Sequence, residues 1–421
     1  MTVSMTFGRR TWVVGLWLAV GLAIQAGAAS AQETCRAVTR VTAPPQNACL
    51  GGDTLSIAAA GDVLLHSGLQ RRAYAHEDGF RALWSAAEPF FQAADIAYVN
   101  LEGPVAKGMT RGFSQRTDPG PVFDNVVYTS YPLFNYHERL IGDLMASGID
   151  IVSTANNHSL DRGSQGADLT INALEQAGLA FTGTRRAGSP RDFVHVMPTA
   201  IGRLAWIACS YSTNGIPDTA NQVLGCFSDR AELLALVTDT ARRSDIAGVI
   251  VTPHWGWEYR SDPNARQRAL AADLAKAGAT VIVGTHPHVV QPWDYLDGVD
   301  AQKSMVVYST GNFVSGQSQL PRRTGALFWI ELCRAQPSGD LGQALFSRLS
   351  VARTGWAPFY MASTAAGPEL QFAGGTVGGW PASARRHANT VMRPGELELD
   401  LDCGQDASSG QGIAALSVAL Q

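Results

Sequence analysis

ATVIVGTHPHVVQ, residues 279–291, joins an apolar, β-branched run to a turn that holds two histidines one residue apart. The run ATVIV is short, and it reads as a strand buried on both faces in a parallel sheet. His286 and His288 flank Pro287. Proline fixes φ, so both rings leave the strand toward one concavity. Taken alone, the pair is either a histidine-rich loop or two metal ligands held by the proline. The rest of the chain separates the two readings.

The same arrangement recurs along the sequence. Candidate strands are LSIAAA (55–60), IAYV (96–99), DIVSTA (150–155), LAWIACS (204–210), AGVIVT (247–252), TVIVG (280–284), MVVYS (305–309) and ALFWIEL (326–332). Between several of them, 3.6-residue periodicity predicts helices over 81–94, 137–148, 167–178, 230–243 and 265–278, with Gly148, Gly178 and Gly278 standing at C-terminal cap positions. Strand–helix alternation predicts an α/β fold with buried, largely parallel strands. KGMTRGFSQRTDPGPVFDNVVYTSYPLFN (107–135) interrupts it as a long polar loop or insertion, with a lid as one role for it.

Polar motifs follow the strands directly: GDVLLH (61–66), NLEGP (100–104), NNHSLDRG (156–163), HWGWEY (254–259), GTHPHVVQ (284–291) and STGNF (309–313). In open α/β sheets the ligand crevice lies beyond the carboxyl ends of the strands, so these motifs are expected on one rim. Of the 9 histidines, His66, His158, His254, His286 and His288 fall there. Each alone reads as a hydrogen-bonded loop residue; the set reads as a site. Asp62 and Glu102 offer carboxylate oxygens, Asn157 an amide oxygen and the histidines imidazole nitrogens, a donor set suited to Zn, Mn or Fe. Trp255 and Trp257 read equally as rim packing or substrate lining.

The chain has 421 residues, 46% hydrophobic and 16% charged, which supports a buried core. A formal charge of −4 with no basic run gives no nucleic-acid surface. Arg9 and Arg10, the apolar stretch 11–24 and Ala29-Ser30-Ala31 have the layout of a signal peptide over 1–31, so an exported protein, periplasmic or secreted, is expected. All 6 cysteines follow it, with no C-x-x-C pair; Cys35–Cys49, Cys209–Cys226 and Cys333–Cys403 are the sequence-local disulfides. Residues 32–53 form a lead, 54–335 the main domain and 336–421 a peripheral, mostly β or irregular extension.

Taken in order, GDVLLH, NLEGP, ANNHSLDRG, HWGWEY, GTHPHVVQ and YSTGNF resemble the motif series of the CapA family, bacterial capsule and poly-γ-glutamate synthesis proteins with a calcineurin-like metallophosphoesterase fold. The resemblance covers about 55–332. It implies a four-layer αββα sandwich with two divalent metals at the rim. By position, Asp62 and His288 belong with the first metal, Glu102 bridges, and Asn157, His254 and His286 serve the second. His66 stands four residues after Asp62, where the superfamily has Asp-x-His, and is the remaining candidate ligand. His158 resembles the histidine that protonates the leaving group, with Asp161 orienting its ring. The implied function is a metal-dependent hydrolase acting on an anionic polymer or phosphoester. The alternative is a non-catalytic metal-binding subunit of an envelope polymer machine. In that case a membrane-bound partner supplies the synthesis, since this chain has no G-x-x-x-x-G-K-S/T loop.

Overall fold

The computed structural model describes residues 37–38, 49–299, 302–335, 348–374, 379–399 and 401. The expected signal segment lies outside them, as do Cys35 and Cys403 and so two of the three expected disulfides. Cys333 is disulfide-bonded. Cys209 and Cys226 are bonded to each other, as expected.

In chain order the elements are β1 (Ala37–Val38), β2 (Cys49–Leu64), α1 (Ser67–Ala75), α2 (Glu88–Ala93), β3 (Ile96–Leu101), α3 (Arg139–Ala146), β4 (Ile151–Ser153), α4 (Gly163–Ala177), β5 (Ala180–Thr182), β6 (Val194–Thr199), β7 (Gly202–Ser210) and α5 (Arg230–Arg242). There follow β8 (Gly248–His254), α6 (Ala265–Ala277), β9 (Val281–Val283), β10 (Val290–Asp297), β11 (Lys303–Thr310), β12 (Asn312–Ser315), α7 (Leu320–Arg323), β13 (Thr324–Ala335), β14 (Leu349–Thr364), β15 (Gly367–Phe372), α8 (Trp380–Val391) and β16 (Glu398–Leu399).

Two sheets result. One runs β15-β14-β13-β2-β3-β4-β5, with β12 also paired to β2; the other runs β10-β11-β9-β8-β7-β6. The first is parallel from β2 to its edge at β5 and antiparallel from β2 through β13 and β14 to β15; the second has a parallel centre (β7, β8, β9, β11) with antiparallel edges β6 and β10. The sheets face each other across a core of Ile57, Tyr98, Trp206, Ile250, Val307, Phe328 and Ile330. The outer face of the first is covered by Phe80, Trp84, Phe91, Leu140 and Leu144, and that of the second by Leu233 and Val237 of α5 and Leu270 and Leu274 of α6. This is the αββα sandwich. Its cohesion is apolar burial: Trp206 is fully buried and stacks on Tyr98, and truncating such a side chain costs about 3–5 kcal/mol.

Two expectations change, and one loop proves better packed than its polarity suggests. The single helix expected over 81–94 is two 3-10 turns followed by α2, because Pro89 stands at the start of α2 and cannot continue a helix into it. The stretch after 336 is not peripheral: β14 pairs with β13 along Leu349–Tyr360, and Leu349 and Val351 lie in the inter-sheet core. Segment 107–135 has only two isolated bridges, yet it is packed, with Met109, Val127, Tyr128 and Phe134 buried. Gly178 and Gly278 cap α4 and α6 in the left-handed conformation, as expected.

Candidate metal centre

Sheet register sets the site. In the first sheet Asp62 lies opposite Asn100 of β3 and Asn312 of β12. In the second, His254 lies opposite Ser210 and bridges Thr285. The strand ends of both sheets therefore reach one rim at one level. Two glycines permit this. A Cβ on Gly61 would stand 1.7 Å from the Gly311 carbonyl oxygen, and one on Gly284 would stand 2.1 Å from the Tyr308 carbonyl oxygen. Both motifs open with glycine because backbone of the neighbouring strand passes there.

Six of the seven candidate ligands lie together. Asp62, Glu102, Asn157, His254, His286 and His288 are all buried. Three groups have the proximity to hold a cation: Glu102, His254 and His286; Asp62, Glu102 and His288; and Glu258, His286 and His288, of which Glu258 is exposed. Asn157 joins through its Oδ1, 2.8 Å from His254 Nε2. His66 is not among these groups. It stands at the N-terminus of α1, its Nδ1 3.2 Å from the Leu64 carbonyl oxygen and 3.2 Å from the Gly316 nitrogen, its ring edge-on to Phe134.

Partners fix the ligand candidates in place. Asn100 Nδ2 donates to Asp62 Oδ1 at 2.8 Å and itself accepts from Asn156. His254 Nδ1 meets Thr285 Oγ1 at 2.9 Å. His288 Nδ1 lies 3.1 Å from Asp62 Oδ2 and 2.9 Å from Asn312 Oδ1. The Tyr211 ring packs 4.2 Å from that of His286. Asn100, Thr285 and Tyr211 were not singled out by sequence. Asn100 stands inside the NLEGP motif and was within reach; Tyr211 directly follows a strand but carries no motif.

The electrostatics describe a cluster suited to a cation. Both Glu102 oxygens are buried and accept no hydrogen bond, and His286 Nδ1 likewise has no partner. A carboxylate in that condition costs several kcal/mol unless a positive charge faces it. Burial, with Asp62 beside it, pushes the Glu102 carboxyl well above the usual range. Burial and the neighbouring imidazoles hold His254 and His286 well below theirs, so both stay neutral and able to ligate. Burial opposes charge on His288, but Glu102 and Asp62 outweigh it and raise it to about 9. The donors present, two carboxylates, an amide and three imidazoles with no thiolate, fit a divalent metal of the Zn, Mn or Fe kind.

Beside the cluster, His158 Nδ1 lies 2.7 Å from Asp161 Oδ2, which also accepts from the Phe134 N–H at 2.6 Å. The Phe134 ring stands edge-on to His158 at 4.9 Å. Segment 107–135 thus forms one wall of the His158 site. Arg162 ties it down from a buried position, donating to the carbonyls of Met109 and Val127 and to the Thr129 hydroxyl.

Comparison with known proteins gives the family. Residues 56–317 match the family model described as bacterial capsule synthesis protein PGA_cap. The chain is 27% identical over 284 residues to the PGA biosynthesis protein CapA of Bacillus subtilis (strain 168), covering 66% of this chain and 68% of that protein. It is 26% identical over 291 residues to the capsule biosynthesis protein CapA of Bacillus anthracis, covering 66% of this chain and 64% of that protein. Among solved structures, Haemophilus influenzae NAD nucleotidase (NadN) is similar at TM-score 0.43 and 9% identity, over 82% of this chain and 58% of that one. With its motifs gathered on one rim and more than half its length matched, the chain belongs to the bacterial capsule synthesis protein family PGA_cap.

Proposed function

We propose that the chain is an exported, metal-dependent hydrolase of the phosphoesterase type, acting on an anionic polymer or phosphoester in capsule or poly-γ-glutamate metabolism. The observation that carries the reading is Glu102: a fully buried carboxylate with both oxygens unpartnered, Oε1 standing 3.6 Å from His254 Nε2 and 3.7 Å from His288 Nε2. Asp62, Glu102 and His288 would hold one divalent ion, and Glu102, Asn157, His254 and His286 a second. When bound, such ions supply Lewis acidity and a water of lowered pKa.

The chain's own groups do the rest. Asp161 engages His158 Nδ1 and so fixes the ring, leaving Nε2 to hold the proton for a leaving group. The Phe134 N–H and ring keep that pair oriented. The Cys209–Cys226 disulfide supports an oxidising compartment, in line with export. Among the described residues no helix is long and apolar enough to cross a membrane.

Elemental analysis of the purified protein beside His286→Ala tests the metal. Turnover of an aryl phosphate and of γ-glutamyl polymer tests the chemistry. Wild type should carry divalent metal that His286→Ala lacks, and should cleave at least one substrate. Loaded protein that cleaves neither is instead a metal-binding subunit of a polymer synthesis or export complex.

A further inference from the structure

The turn after β8 holds a cation that the metal chemistry does not use. Tyr259 lies on this turn at φ 64, a left-handed conformation uncommon outside glycine. Its N–H donates to the Pro287 carbonyl at 2.8 Å, and its ring stands 6.1 Å from that of His288. The guanidinium of Arg322 sits 3.4 Å from the Tyr259 ring centroid. The backbone of Arg322 is pinned to the same histidine from another direction: its carbonyl accepts from Asn312 Nδ2 at 2.8 Å, while Asn312 Oδ1 stands 2.9 Å from His288 Nδ1.

Among the described arginines seated on aromatic rings, Arg322 is set apart by its seat, the one ring that stands against a candidate metal ligand, His288. Arg81, Arg191, Arg203 and Arg230 each meet a carboxylate. Among the described residues no carboxylate lies within ion-pair distance of Arg322, and its Nε is buried with no acceptor. An aromatic seat orients a guanidinium without consuming its N–H edge. Trp257, two residues before Tyr259 and 64% exposed, adds an apolar surface on the same turn.

We propose that Arg322, held on Tyr259, binds an anionic group of the substrate, a carboxylate or a phosphate, beside the metal ligands; this rests on the metal-hydrolase reading above. The planar fork matches both groups, since each offers two oxygens to two parallel N–H donors. Glu258 lies on the same turn, close enough to His286 and His288 to share a cation with them; metal there would offset its charge, so the clamp is expected to work best in the loaded protein.

The test titrates metal-loaded wild type, Arg322→Gln and Arg322→Lys with inorganic phosphate and with a γ-linked glutamate oligomer, with metal content measured on each sample. Both variants should keep the wild-type metal content. Arg322→Gln should lose about tenfold to a hundredfold in affinity for whichever probe binds, the loss of a charge-assisted bond, and Arg322→Lys should recover part of it by charge alone. The probe that binds identifies the anion as phosphate or carboxylate. Wild-type affinity in Arg322→Gln, metal loss in that variant, or loaded wild type that binds neither probe overturns the clamp. Wild type that takes up no metal overturns the reading beneath it instead.

Discussion

The two sheets contribute unlike halves of the rim. The first presents oxygen donors, Asp62, Glu102 and Asn157, none of them at positive φ, with Asp62, Asn100 and Asn312 neighbours in register where the pairing shifts just before Asp62 and just after Asn312. The second presents nitrogen donors, and two of the three sit on strained backbone, His286 at φ 98 and His288 at φ 56. Short carboxylate and amide side chains reach a cation only when the backbone itself arrives at the rim, and here it does so without a left-handed residue at any of the three. Two imidazoles from one strand must instead turn back toward the same point, and left-handed residues make that turn at a cost of about 1–3 kcal/mol each. Such strain persists where surrounding contacts over-determine it. Here Asp62 Oδ2, from the opposite sheet, meets the His286 N–H and His288 Nδ1.

The largest expected effect breaks both halves at once. Asp62→Ala removes a ligand from the first half and the contacts that brace the second, so bound metal should fall to background. His254→Ala should do the same from the other side. Elemental analysis together with melting in the presence and absence of chelator reads both, because a ligand at 1,000 times its Kd stabilises by about 4 kcal/mol and that increment should vanish in each variant. If either variant holds a full complement of metal, the two halves do not share a site.

Next in size, His158→Ala should leave metal content near wild type and slow the cleavage of poor leaving groups by about 10²–10⁴. Nitrophenyl esters, whose leaving group needs little protonation, should be slowed far less. Metal loss in His158→Ala equal to that in His254→Ala would make it a ligand and remove it as the proton donor.

A smaller effect comes from pH. His288 is raised to about 9, so below that pH it carries a proton that a metal ligand must shed. Apparent metal affinity should therefore rise with pH toward 9 and fall by at least about tenfold per unit as the solution is acidified, one decade for the His288 proton and more where the raised Glu102 carboxyl is protonated too. Competition against a chelating dye across pH 6–8, corrected for the dye's own protonation, measures the slope. A flat profile would take His288 out of the ligand set.

Much of this was legible in the sequence for one physical reason. A strand of a parallel sheet is apolar throughout, so the residue where polarity resumes marks the rim, and Asp62, Glu102, Asn157, His254 and His286 were all found that way. What was not legible depends on pairing between segments distant in sequence. Asn312 reaches Asp62 only because the chain crosses between sheets at Gly311, leaving β11 at Thr310 and entering β12 at Asn312. His66 was placed by spacing alone. The strand ends at Leu64 and His66 opens α1, where its Nδ1 meets the Leu64 carbonyl and the Gly316 N–H. β14 hides its role because Arg353, Gly355 and Pro358 break the alternation of an edge-side strand, although the pairing with β13 runs through them.

The smallest effect isolates the turn that distinguishes the second half. Pro287 joins the two left-handed histidines, and its carbonyl accepts from the Tyr259 N–H. Pro287→Ala keeps that carbonyl and frees φ. Proline at a compatible position contributes about 0.4–1 kcal/mol by limiting the alternatives open to the chain, which converts to about two- to fivefold in metal affinity at tenfold per 1.4 kcal/mol. The variant should thus bind metal two- to fivefold more weakly than wild type, with His158-dependent turnover per bound metal unchanged. A loss as large as that of His286→Ala would mean that the proline alone holds the turn. An unchanged affinity would assign that work to Asp62 and Tyr259, and the strain of the second half would then be borne by contacts from both sheets.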